Sequence, residues 1–133
     1  MYQNSRTANP QRHYQILELS SKLESADPHG LVSILYDELL RSLDVMTAAL
    51  GYGRDISHSH HSERAKSILL TLSASLNFEN GNSVADVLDG VYRAMLTQLT
   101  QAITDGSAEK LADLRAGIVE VSAAWQSIKF GSH

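Results

Sequence analysis

The apolar residues of this chain recur at intervals of three and four along most of its length. The stretch after Pro28 illustrates the spacing, with a stripe of Leu31, Leu35, Leu39, Leu43, Met46 and Leu50. This interval places side chains on one face of an α-helix, whereas a half-buried strand would show strict alternation. Only two prolines occur, Pro10 and Pro28, and neither lies inside a long periodic segment. The pattern therefore predicts an all-α fold.

Turn and capping residues divide the periodic sequence into helices. Asp27 and Pro28 predict the start of a long helix, because Asp can cap free backbone N–H groups and Pro fits the first helical turn. Gly51 predicts the end of that helix, and a polar loop is expected over 51–61. We expect long helices over about 28–50, 62–77, 83–105 and 107–128, preceded by a short one over 12–24. Long helices with short connections predict an antiparallel four-helix bundle with an extra short N-terminal helix.

The length of 133 residues is typical of one domain. We expect a flexible N-terminal tail over 1–11, one helical-bundle domain over 12–128 and a C-terminal tail over 129–133. The N-terminus lacks the apolar run of a secretory signal, and the longest uncharged apolar run, 67–78, is too short to span a bilayer. These features predict a cytoplasmic protein without membrane insertion.

Composition argues against several classes of function. Acidic residues outnumber basic ones by 15 to 11, so no excess of positive charge is available for binding nucleic acid. The chain has no cysteine, which excludes disulfides, thiolate zinc sites and cysteine nucleophiles. It also lacks a glycine-rich phosphate loop and a His-Glu-x-x-His motif. We therefore predict no enzymatic activity and no cofactor.

The histidines do not form a convincing metal site. His58, His60 and His61 are close enough in sequence to bind zinc or nickel weakly, but no fourth ligand lies at a fixed spacing. His29, in the first turn of the first long helix, has no partner at ligand spacing either. We favour a polar loop without a bound metal, and we expect its histidines to be dispensable.

The first long helix is apolar over an unusually wide arc. Ile34 and Val45 lie outside the stripe that begins at Leu31, although a bundle helix needs only about 100° of apolar face. Either the helix is central and packs on two sides, or part of the arc lines a groove for a partner's helix. The sequence leaves these two interpretations open.

Three blocks of sequence resemble the flagellar export chaperones of the FliS family. The first block comprises Asp27-Pro28, Leu31-Val32 and Ile34-Leu35-Tyr36-Asp37. The second comprises Leu72, Leu76-Asn77, Glu79, Gly81, Ala85, Leu88, Tyr92 and Met95. The third is Ala123-Ala124-Trp125, near the end of the last helix. The three blocks are in register with that family, the second in its order and spacing, and the resemblance extends over roughly residues 26–128.

The resemblance implies a cytosolic chaperone that binds the disordered C-terminal segment of flagellin. Binding would mask the apolar face of that segment, prevent premature polymerisation and keep flagellin competent for export. The resemblance leaves open additional contacts with the flagellar export gate and a weak homodimer. A small self-associating helical adaptor is the alternative function.

The wide arc and the resemblance together predict where flagellin binds. The predicted flagellin groove consists of Leu31, Ile34, Leu35, Tyr36, Leu39, Leu69 and Leu72. The predicted structural core includes Leu76, Leu88, Tyr92, Met95, Leu114, Ile118 and Trp125. We also expect the short helix over 12–24 to cover the groove when flagellin is absent, because helices this short are marginal in water unless they dock.

Overall fold

The computed structural model describes residues 28–76 and 83–131, and the regular structure in these ranges is entirely α-helical. The helices are α1 (Pro28–Gly51), α2 (His60–Ala74), α3 (Ser83–Asp105) and α4 (Ala108–Gly131). Each helix packs against the next along the chain, and α4 packs against α1, as in an antiparallel four-helix bundle. The predicted all-α fold is confirmed. The predicted N-terminal tail and the short helix over 12–24 lie outside the described residues.

The starts and ends of the helices follow from capping chemistry. Helix α1 begins at Pro28, as predicted, and is followed by Gly53, whose φ of 75° suits glycine. The backbone N–H of Gly53 donates to the carbonyl of Leu50 at 2.9 Å, which satisfies a carbonyl of the last turn. Before α4, the hydroxyl of Ser107 accepts a hydrogen bond from the backbone N–H of Lys110.

Helix α2 begins earlier than the sequence pattern predicted. The hydroxyl of Ser59 accepts a hydrogen bond from the backbone N–H of Ser62 at 3.1 Å, which makes Ser59 the N-cap. His60 and His61 therefore belong to the first turn of α2, and the prediction that placed them in a loop over 51–61 was wrong. The helix starts earlier than predicted because Ser59, three residues before Ser62, supplies the capping hydroxyl.

The core combines large apolar side chains from all four helices and one from a loop. Its fully buried members include Leu39, Leu43, Met46, Leu69, Leu72, Leu99, Leu111, Leu114 and Ile118. The loop member is Ile56, which is buried although its segment was predicted to be a polar loop. The backbone carbonyl of Ile56 accepts a hydrogen bond from the hydroxyl of Ser62 at 2.6 Å, so the loop is tied to the start of α2.

Polar side chains bridge neighbouring helices at the surface of the bundle. The bridges are Arg64 to Glu38 at 2.9 Å between α2 and α1, Ser73 to Asp89 at 2.7 Å between α2 and α3, and Arg115 to Asp44 at 2.8 Å between α4 and α1. The hydroxyl of Ser73 is the main reason that the pKa of Asp89 lies below its ordinary value. The pair Arg115–Asp44 is exposed and therefore adds little stability. None of the helices in the described ranges has the length and hydropathy needed to cross a bilayer.

Candidate functional site

An apolar groove of about 290 Å³ lies between the first half of α3 and the second half of α4. Its lining consists of Tyr36, Ser83, Val84, Val87, Leu88, Val121, Ala124 and Trp125. We refer to it as the α3–α4 groove. Helix α3 forms one wall and helix α4 the other, while Tyr36 reaches the groove from α1.

The wall formed by α3 exposes large apolar side chains to solvent. Val84 is 56% exposed and Val87 is 65% exposed, although both are β-branched aliphatic residues. Covering apolar surface contributes about 25 cal/mol for each Å² removed from water. A concave surface with accessible valines can therefore bind the apolar face of a partner segment.

Tyr36, which lines the groove, belongs to a buried pair of tyrosines. The hydroxyl groups of Tyr36 and Tyr92 are 2.6 Å apart, and the two side chains are almost completely buried. Burial is the largest cause of the rise in the pKa of each phenol above its ordinary value. Both groups are therefore uncharged at neutral pH and share one hydrogen bond within an apolar environment.

We expect the free energy of unfolding to fall as the pH rises above about 10, where phenols in an unfolded chain ionise. The raised pKa of Tyr36 and Tyr92 in the folded state contributes stability that is complete below the unfolded pKa and is lost as the pH rises toward the folded pKa. Urea unfolding at pH 8 and pH 11 measures this loss. The double variant Tyr36→Phe/Tyr92→Phe should lose less stability over the same interval, and equal losses would contradict the prediction.

A stacked pair of side chains, His29 and Trp125, stands at the wall formed by α4. Their ring centroids are 4.5 Å apart and the rings lie 12° from parallel. The imidazole Nε2 of His29 lies 2.8 Å from the carbonyl oxygen of Trp125, and the indole N–H of Trp125 donates to the carbonyl of His29 at 3.1 Å. These contacts join the first turn of α1 to α4.

The structure places the predicted flagellin-groove residues in two environments. Leu31, Ile34 and Leu35 are half-buried on α1. The remaining four are buried in the core: Tyr36, Leu39, Leu69 and Leu72. Of the seven, Tyr36 is the member that lines the α3–α4 groove. In this structure the buried leucines contact other core side chains and offer almost no surface to a partner.

The predicted core residues also fall into two groups. Four of them are buried: Tyr92, Met95, Leu114 and Ile118. Leu76, Leu88 and Trp125 are half-buried and pack against the core cluster. Leu88 and Trp125 additionally line the α3–α4 groove, so these two side chains contribute both to packing and to the candidate site.

Our prediction of the groove omitted the valines that form its walls. Val84, Val87 and Val91 form a stripe beside the one that contains Leu88 and Tyr92, so the start of α3 is apolar over a wide arc. We applied the criterion of a wide arc to α1 alone. The same criterion applied to α3 identifies Val84 and Val87 as surplus apolar positions.

The clustered histidines do not converge on a metal-binding geometry. The rings of His60 and His61 meet edge to face, with centroids 5.2 Å apart. Burial is the main cause that lowers the pKa of His61 below its ordinary value. Within residues 28–76 and 83–131, no group of three or more histidine, aspartate or glutamate residues is arranged to hold a metal ion.

Comparison with known proteins gives consistent matches over the whole bundle. A sequence profile of the family described as "Flagellar protein FliS" matches residues 10–131. The chain is 30% identical over 115 residues to the flagellar secretion chaperone FliS of Vibrio cholerae serotype O1, a match that covers 86% of this chain and 85% of the relative.

Two further relatives match at lower identity and similar coverage. The flagellar secretion chaperone FliSB of Pseudomonas aeruginosa is 26% identical over 117 residues, covering 88% of this chain and 93% of the relative. The flagellar secretion chaperone FliS of Salmonella typhimurium is 26% identical over 123 residues, covering 92% of this chain and 91% of the relative.

Proposed function

Because this chain belongs to the FliS family, we propose that it is a flagellar secretion chaperone that binds the disordered C-terminal segment of a flagellin. The relatives are named as chaperones, and the family is not one of enzymes. We place the action of the protein in the cytoplasm, where binding prevents premature polymerisation of flagellin and keeps it competent for export. A single bundle domain over 12–128 carries this function.

The observation that carries the proposal is the α3–α4 groove. The wall formed by α3 exposes Val84 and Val87, and the accessible surface of the lining is almost entirely apolar. An amphipathic helix can bind such a groove by placing apolar residues three or four positions apart against the two walls. A segment that is disordered before binding must lose conformational freedom, which lowers its affinity and favours later release.

The side chains around the groove are held in place before a partner arrives. The hydrogen bond between Tyr36 and Tyr92 holds Tyr36 in the lining, and the contacts of Trp125 with His29 hold part of the wall formed by α4. In a preformed site the side chains are already ordered, so binding costs less free energy. Competing contacts at the export gate would then release the flagellin without hydrolysis of ATP.

Calorimetry with a peptide from the C-terminal segment of the flagellin of the same organism tests the proposal. We expect one peptide to bind each chain, with a negative change in heat capacity because apolar surface is buried. A peptide of identical composition and permuted order is the control, since it removes the spacing of the apolar residues. Absence of binding to the folded protein would contradict the proposal.

Self-association is the second candidate function, because the exposed valines of the α3–α4 groove could also pack against another copy of the chain. Sedimentation velocity at micromolar concentration distinguishes the two. An adaptor would form oligomers in the absence of any partner and would not bind the flagellin peptide. A chaperone would bind the peptide with a stoichiometry of one, whatever its state of association.

A further inference from the structure

We propose that His29 is a positioning residue of the α3–α4 groove, which holds the indole of Trp125 in the orientation that a partner segment binds. The inference rests on the proposed function and gives a role to a histidine that has no partner at metal-ligand spacing in the sequence. It is carried by the geometry of the His29–Trp125 pair.

The His29 side chain makes its polar contact with the backbone of Trp125. A carbonyl oxygen can only accept a hydrogen bond, so the imidazole hydrogen must lie on Nε2, which is 2.8 Å from the carbonyl of Trp125. The other nitrogen, Nδ1, is buried and has no hydrogen-bond partner among the described residues. The ring therefore serves to stack on the indole and to bond the backbone that carries it.

The indole of Trp125 needs such support because it is only half-buried and lines an open groove. Its N–H donates to the backbone carbonyl of His29, a contact that any residue at position 29 could accept. The stacking and the bond from Nε2 depend on the imidazole itself. Removing the imidazole would leave the indole with its hydrogen bond to the carbonyl of residue 29 and its packing on the core cluster, and less restricted in its rotamer.

A mobile indole weakens binding because a partner must immobilise it. The free energy of fixing one side chain with several rotamers corresponds to about a two- to tenfold change in the dissociation constant. The contact also ties the first turn of α1 to the groove wall of α4, so the position of the wall depends on how α1 begins. His29 thus acts on the partner through Trp125 and not by touching it.

Fluorescence of the free protein tests the arrangement directly, since Trp125 is the only tryptophan in the chain. In His29→Ala we expect stronger quenching by acrylamide and lower anisotropy than in the wild-type protein. Calorimetry should show a dissociation constant for the flagellin peptide that is raised by about two- to tenfold. His58→Ala is the matched control, because His58 is exposed and lies outside the groove, and it should change neither readout.

A second variant separates positioning from a loss of stability. His29→Phe keeps an aromatic ring for stacking, so it should restore most of the protection from acrylamide and most of the affinity. Wild-type quenching and affinity in His29→Ala would overturn the proposal, as would a failure of His29→Phe to recover either. If the wild-type protein binds no peptide, the proposed function fails, whereas the quenching data still decide whether His29 holds the indole.

Discussion

Val87→Asp is expected to weaken binding of the flagellin peptide by about 100-fold, which corresponds to about 2.7 kcal/mol. Val87 is 65% exposed in the free protein, so a carboxylate at this position stays hydrated and the bundle remains folded. In the complex the apolar face of the peptide would cover that carboxylate without offering it a hydrogen bond. Removing a charge from water without a partner costs several kcal/mol.

The matched control is Val119→Asp, which makes the same chemical change at an exposed valine of α4 that does not line the groove. Circular dichroism should show helical spectra for both variants. Calorimetry should show that Val119→Asp binds the flagellin peptide with wild-type affinity, whereas Val87→Asp does not. Unchanged affinity in Val87→Asp would contradict the assignment of the α3–α4 groove as the binding site.

The fold could be predicted in large part from local signals in the sequence. Pro28 marks the start of α1, and the spacing of the leucines indicates which face of each helix enters the core. Both features are set by residues that are close together in the sequence, so they can be read without knowing the tertiary structure. The start of α2 was missed because Ser59 and Ser62 are both plausible caps, and the choice depends on how Ser62 packs. Its hydroxyl bonds the carbonyl of Ile56, a contact that no local pattern reveals.

The candidate site could be predicted less well, because an apolar face becomes a groove only where no neighbouring helix covers it. The wide arc of α1 predicted a groove there, but α1 packs against both α2 and α4, and Leu39 is completely buried. The three half-buried members at the start of α1 keep part of the predicted flagellin groove as a prediction. On α3, Val84 and Val87 remain uncovered, and this depends on how α4 is placed.

Leu69→Ala is expected to lower the free energy of unfolding by about 2–5 kcal/mol, the range measured for leucines truncated in protein cores. Leu69 is 1% exposed and belongs to the core cluster, so its removal loses apolar burial and leaves a cavity among its neighbours. For a domain of this size we expect the melting temperature to fall by on the order of 10 °C. Urea unfolding and thermal melts followed by circular dichroism measure the two quantities.

The next residue along the helix provides the control, since Leu70→Ala makes the same change on the solvent-exposed face of α2. Leu70 is 56% exposed, so its truncation should change stability by no more than about 0.5 kcal/mol. The comparison also tests the predicted flagellin groove that included Leu69. If Leu69→Ala kept its stability and lost affinity for the flagellin peptide, Leu69 would contact the partner in a state in which α1 and α2 separate. Loss of stability with affinity retained for the folded fraction would instead establish Leu69 as a core residue.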